Sequence, residues 1–201
     1  MEIDISKLRG SRVYLEFLSP SHREAIRTLA KNEVIWEFNK MLPGDDTYDA
    51  AFDSYFNAAL DKNGLGGQQT FVIKKTRDDS IIGMTRLYEI SPKEKTVLIG
   101  YTWYIPPVWG KVYNKECKLL LLQYAFENMK FNRVELRVAH QNVRSQKAVE
   151  KIGAVKEGIL RKHGYRNDGS VRHTVVYSII DDEWPQTKEK LTGIIADDKN
   201  D

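Results

Sequence analysis

WYIPPVWGKVYNKECKLLLLQYAFENMKFNRVELRVAHQNVRSQKAVEKIG, residues 103–153, decides the fold of this chain. It reads as a strand end, a bend at Pro106-Pro107, a Trp109-Gly110-Lys111 loop and an apolar helix from Glu116 to Met129. A short buried strand from Arg133 to Val138, an Asn142-x-x-Ser145 turn and a helix from Val143 to Ile152 closed by Gly153 follow. A loop that opens a helix at the end of a strand presents unclaimed backbone N–H groups and the positive end of the helix dipole. That arrangement suits a pyrophosphate, so a nucleotide-like cofactor is expected.

Upstream, Arg12 to Phe17 alternates as a strand with Val13, Leu15 and Phe17 on one side, and Ser19-Pro20-Ser21 starts a helix whose inner face is Ile26, Leu29 and Ala30. The irregular stretch Asn32 to Gly44 carries Trp36, Phe38, Met41 and Leu42, large apolar side chains suited to covering a pocket. A helix over Tyr48 to Leu60 ends in the breaker run Asn63-Gly64-Leu65-Gly66-Gly67. Thr70 to Lys74, Ser80 to Ile90 and Thr96 to Ile105 read as an antiparallel meander with charged turns between them. Downstream, Val155 to Tyr165 and Val171 to Ile180 form a hairpin about Asn167-Asp168-Gly169, and a terminal helix gathers around Trp184. The mixed order of elements predicts an α+β fold, helices flanking a central, mostly antiparallel sheet. One domain over residues 1–195 is expected, with 196–201 a disordered tail.

The 31 basic and 28 acidic residues of this 201-residue chain are interspersed, with a net charge of +3, and no polybasic block follows a nucleic-acid backbone. Nucleic acid is therefore not an expected partner. The longest apolar run, Leu119 to Leu122, is far short of the roughly 20 residues of a membrane span, and Met1-Glu2-Ile3-Asp4 lacks a signal-peptide pattern. A cytoplasmic protein without membrane attachment is the expectation. Cys117 is the single cysteine, and His22, His140, His163 and His173 show no ligand spacing, so no metal is expected.

The region Arg12 to Trp184 resembles the GNAT superfamily of acyl-CoA-dependent N-acetyltransferases, in the branch that includes the ribosomal-protein N-terminal acetyltransferases. The resemblance rests on the order of Ile99-Gly100-Tyr101-Thr102-Trp103, Trp109-Gly110-Lys111, Asn114-x-Glu116, Tyr124-Ala125-Phe126-Glu127, Arg133-Val134-Glu135, Asn142-x-x-Ser145, Glu150-Lys151-Ile152-Gly153 and Glu157-Gly158-x-Leu160. It implies a three-layer α/β/α architecture and a splayed sheet whose V-shaped gap holds acetyl-CoA. Trp103, Tyr104 and Ile105 would offer strand backbone to the pantetheine, one of their amides serving as oxyanion donor. Trp109, Gly110, Lys111, Val112, Tyr113, Asn114 and Lys115 would cradle the pyrophosphate, and Asn142 would bond the pantetheine arm.

The family loop is usually written Arg or Gln-x-x-Gly-x-Gly or Ala, and here Val112 and Asn114 replace two of its small residues. Val112 is expected in an ordinary helical or extended conformation or in a remodelled loop, and Asn114 is a candidate helix N-cap. Val149 stands where many members place a tyrosine acid, which leaves Ser145 as the nearest proton donor to a departing thiolate. Leu98 and Gly164 stand at the family's two glutamate positions, so His163 is the candidate base, with Glu89 and a water relay behind it. Trp36, Tyr88 and Tyr101 are candidates for the acceptor pocket.

Each assignment has a structural competitor. Asn142 and Ser145 fit a plain helix cap, His163 an exposed strand histidine, and the aromatic residues core packing. The implied acceptor is an amine, on a peptide N-terminus or on a small molecule such as an antibiotic or polyamine. A catalytically silent acyl-CoA-binding module is the alternative from another class. The oligomeric state is open, a homodimer included.

Overall fold

In the computed structural model, residues 4–38, 42, 46–62, 67–166 and 168–198 are described. The first strand, β1 (Val13–Phe17), is followed by α1 (Arg23–Ala30) and α2 (Tyr48–Leu60), and then by the meander β2 (Gln68–Lys75), β3 (Ile81–Ser91) and β4 (Thr96–Tyr104). Next come α3 (Tyr113–Gln123), β5 (Arg133–Ala139), α4 (Val143–Lys151), the hairpin β6 (Val155–Tyr165) and β7 (Val171–Ile180), and α5 (Trp184–Asp197). The strands form one sheet in the order β1-β2-β3-β4-β5-β7-β6, antiparallel throughout except for β4 beside β5.

Residue periodicity explains the layers. Tyr48, Phe52, Tyr55, Phe56 and Ala59 recur on one stripe of α2 and pack, with Ile26 and Ala30 of α1, onto Val72, Met84 and Trp103 of the sheet. The opposite sheet face carries Leu15, Ile73, Leu87, Val97, Ile99, Val134, Leu136, Val175 and Tyr177. It is covered by α3, by Val149 and Ile152 at α4, and by Trp184, Leu191 and Ile195 of α5. This is the three-layer α+β architecture implied by the resemblance.

Several boundaries differ from the sequence reading. The apolar helix begins at Tyr113 rather than Glu116 and closes in a π turn over Tyr124–Asn128. Its N-cap is Val112, at φ −66° and ψ −24°, so Asn114 lies inside the first turn and is not the cap. The terminal helix continues through Ala196 and Asp197, where a disordered tail was expected. Asp198 is then tied down, its carboxylate to Lys115 Nζ at 2.8 Å and its carbonyl to Arg12 Nη2 at 2.8 Å. The breaker residues 63–66, Met41 and Asn167 lie outside the described residues. Gly153, at φ +95°, provides the left-handed turn after α4 that its position predicts.

The sheet is parted at its centre. Strands β4 and β5 share three residue pairs, Thr96 with Arg133, Val97 with Val134 and Leu98 with Glu135. Beyond them β4 runs on to Tyr104 and β5 to Ala139 without pairing to one another. A bulge lies on the free part of β4. Gly100 is opposite Arg86 and Trp103 opposite Met84, so β4 carries an extra residue there, and Tyr101 adopts φ +51°. The bulge turns β4 away from β5 just past the last shared pair.

Candidate active site

The mouth of the gap is framed by two helix starts. After β4 the chain bends over Pro106–Val108, and Trp109 Nε1 donates to Tyr104 O at 2.7 Å, which folds the loop back on the strand end. Gly110 takes φ +76°, with open space where a side chain would point. The first amide bonded into α3 is that of Glu116, to Val112 O at 3.0 Å, so the helix does not itself claim the amides of Asn114 and Lys115. On the other side, α4 follows the end of β5, and the Asn142 side chain caps it by accepting from Ser145 N at 2.9 Å. Arg144 lies over the Trp109 ring, 3.9 Å from its centroid, joining the two helix starts across the mouth.

Trp103, Tyr104 and Ile105 divide. The Ile105 amide donates to Ile82 O at 2.9 Å, so it faces β3 and corrects the expectation that it opens into the gap. In an antiparallel ladder the bonding direction alternates, which turns the Tyr104 amide to the open side. The Trp103 side chain is buried and donates from Nε1 to Tyr55 Oη at 3.0 Å. In the loop, Val112 and Tyr113 are buried core residues in helical geometry, whereas Lys111 is half-buried. The Lys115 ammonium is held by Asp198, which leaves its backbone amide as the part turned to the helix mouth.

Ser145 is half-buried in the first turn of α4, and His163 is exposed on the edge strand β6. The ring of His163 sits at a register shift of β6 against β7, with Nδ1 at 3.1 Å from Thr174 Oγ1. Thr174 pairs with Ala139, so Ser145 and His163 belong to the same end of β5 but are not bonded to each other. Glu89 has both carboxylate oxygens on Arg137 at 3.0 and 3.3 Å, a contact that spans β4 from β3 to β5.

The aromatic candidates gather on the α1–α2 face of the sheet. Trp36 packs on Tyr55 and Trp103 at centroid distances of 5.6 and 5.8 Å, and Tyr88 meets Tyr101 edge-on at 5.2 Å. Burial raises the Tyr88 phenol well above the ordinary tyrosine range. Over this wall, Arg166 of the β6–β7 turn donates to Phe38 O at 3.1 Å and also to Gln141 Oε1. That clasp fastens the turn to the segment between α1 and α2.

The sequence reading missed Arg86, Arg144 and Arg166. Arg144 and Arg166 become visible only through contacts between distant segments. Arg86 carried a local signal, because it stands between Met84 and Tyr88 in a strand that is apolar on both faces and therefore points inward.

Cys117 is fully buried inside α3, and burial pushes its thiol pKa up. It is no thiolate nucleophile. Cys117→Ala is expected to turn over at the level of the unsubstituted chain, measured as thiol release. Abolished turnover with an intact circular-dichroism spectrum would assign it a covalent role instead.

The comparisons agree with this geometry. The family model described as "Acetyltransferase (GNAT) domain" matches residues 12–155, and the chain belongs to that family of N-acetyltransferases. "Probable N-acetyltransferase YjcK" of Bacillus subtilis (strain 168) is 29% identical over 163 residues, spanning 78% of this chain and 87% of that protein. "Putative ribosomal N-acetyltransferase YdaF" of the same organism is 34% identical over 112 residues, 55% of this chain and 60% of that protein. Among solved structures, an acetyltransferase from T. thermophilus superposes with a TM-score of 0.81 at 32% identity, covering 93% of this chain and 95% of that one. A Vibrio cholerae spermidine N-acetyltransferase in complex with CoA and spermine shares the fold, with a TM-score of 0.69 at 20% identity over 88% of this chain and 99% of that one. Among the described residues, no helix is long and apolar enough to cross a membrane.

Proposed function

We propose that this chain moves the acetyl group of acetyl-CoA onto a primary amine, on a peptide N-terminus or a small molecule, by direct attack in a ternary complex. The observation that carries this reading is the parting of β4 from β5 after three shared pairs, with the starts of α3 and α4 at its mouth. Acetyl-CoA, when bound, supplies the activated acyl group.

The residues fit such a ligand. The amides of Asn114 and Lys115 and the Lys111 side chain serve a diphosphate at the positive end of α3. Asn142, already capping α4, presents its amide group on the opposite wall of the gap. The Tyr104 amide serves a carbonyl held in the gap and stabilises charge developing on its oxygen. Ser145 gives a proton to the departing sulfur, a modest task for a thiol whose ordinary pKa is about 8.5. His163, or a water relay, takes the proton the amine must lose, since an α-amine with pKa about 8 is largely protonated at neutral pH. Trp36, Tyr88 and Tyr101 wall the acceptor side. Holding both reactants in one cleft makes attack effectively intramolecular, a large part of the rate.

The test combines a thermal shift with thiol release. Acetyl-CoA at millimolar concentration should raise the melting temperature, and an amine panel of peptide N-termini and small amines should release CoA thiol. Binding without release from any amine would favour a silent acyl-CoA module, and absence of a shift would count against the cofactor site itself.

A further inference from the structure

Arg86 is a buried cation with an unanswered edge. It is 3% exposed, on the α1–α2 face of β3. Its Nη1 reaches Gln68 Oε1 at 3.3 Å, while Nε and Nη2 have no hydrogen-bond partner among the described residues. The carboxylates of Glu89 on β3 and Glu135 on β5 are engaged by Arg137 and Arg133. The guanidinium instead lies between aromatic rings, 4.4 Å from the Tyr101 centroid and 5.4 Å from that of Tyr55.

A guanidinium cannot shed its proton inside a protein, and an enclosed, unpaired charge is costly. Cation–π contacts offset part of that cost but satisfy no N–H donor. Nε and Nη2 are the two nitrogens along one edge of the guanidinium, and their parallel N–H bonds match the two oxygens of a carboxylate. Their location is informative. Arg86 pairs with Gly100, and the ring it faces belongs to Tyr101, the bulge residue where β4 leaves β5. An anion on this edge therefore lies beside the point at which an amine must meet the gap.

We propose that Arg86 binds a carboxylate of the acceptor, so that the substrate is an amine bearing a carboxylate a short distance from its nitrogen. This rests on the acetyl-transfer reading above and narrows it. A polycation such as spermine is disfavoured by the same buried charge. Two sources carry the required group, the α-carboxylate of a free amino acid and an acidic side chain next to a peptide N-terminus.

The test compares matched pairs on the unsubstituted protein: free amino acids against their amides, peptide amides with Asp against Asn at the second position, and spermidine as the polycation. The expected result is a carboxylate-over-amide preference in kcat/KM of roughly 30-fold or more in one of the two pairs, as for loss of one partner of a buried charge pair. The pair that shows it identifies the source. In Arg86→Gln the ratio should fall toward one, mainly through KM, and Arg86→Lys, which keeps charge but loses the fork, should recover it only partly. Equal use of carboxylate and amide in both pairs, or a preference for spermidine, overturns the proposal without needing a folded variant. Thermal shifts with the same compounds, read without turnover, keep the two hypotheses apart. Stabilisation by a carboxylate but not by its amide, lost in Arg86→Gln, supports the anchor even if no acetyl transfer is detected.

Discussion

Glu116→Ala should lower the melting temperature by on the order of 10 °C. The carboxylate is 4% exposed in the first turn of α3 and gathers the loop that precedes β1. Oε1 accepts from Ser11 N at 2.9 Å and Ser11 Oγ at 2.7 Å, and Oε2 from Arg12 N at 2.9 Å and Val13 N at 2.8 Å. Gly10 lies so close that an added Cβ would stand 2.7 Å from Glu116 Cδ, a measure of how tightly the loop wraps the acid. Truncation leaves backbone donors unanswered around a void, and losing one partner of a buried charged network costs about 3–5 kcal/mol. For a chain of this size each kcal/mol is worth about 2–4 °C. Glu116→Gln should fall between the two, because it keeps one acceptor oxygen but turns an NH2 group toward N–H donors. A loss of less than about 2 °C for the alanine variant, roughly the shift of a single kcal/mol, would mean that these four bonds are readily replaced by water.

Lys118→Met is expected to act in the opposite direction and to do so only below a definite pH. Lys118 is 5% exposed within α3, and its Nζ donates to Thr102 Oγ1 at 2.9 Å; that hydroxyl is shared with Thr85 at 2.8 Å. Burial lowers the ammonium pKa from 10.5 to about 8. In that interval the unfolded chain binds the proton more readily than the folded one, so stability rises with pH between about 8 and 10.5. Below pH 8 the folded state carries the full penalty, which for a shift of this size is on the order of 3 kcal/mol. Methionine fills similar space without a charge to desolvate, and the two threonine hydroxyls retain each other. Denaturant titrations should show the variant more stable at pH 7, with the gain shrinking toward pH 10.5. A difference that stays constant over that range would show that the lysine is not the titrating group.

Much of the framework was legible because it is local. The stripe Tyr48, Phe52, Tyr55, Phe56 and Ala59 announces α2, and Gly169 at φ +78° does the same for the β6–β7 turn. The two helix starts at the gap were legible from the order of short motifs. What escaped depends on contacts between remote segments. Glu116 reads as one acidic residue of a helix, yet its partners lie more than 100 positions away. Arg166 finds Phe38 across a separation of 128. The helix start at Tyr113 was misplaced because Asn114 looks like a cap, whereas buried Val112 fixes the turn through packing. Ile105 was misread because a one-residue bulge in β4 resets which amides face outward, and no residue type at Tyr101 betrays it.

Three shared rungs are all that stitch one leaf of the sheet, β1 to β4, to the other, β5 to β7. Along the rest of their boundary the leaves are held only by the helices laid across them. A long donor lodged in that seam would act as a removable rivet, so the protein is least cohesive when empty. Under the proposed activity, scarcity of the donor would leave the enzyme idle and also shorten its survival as a folded chain.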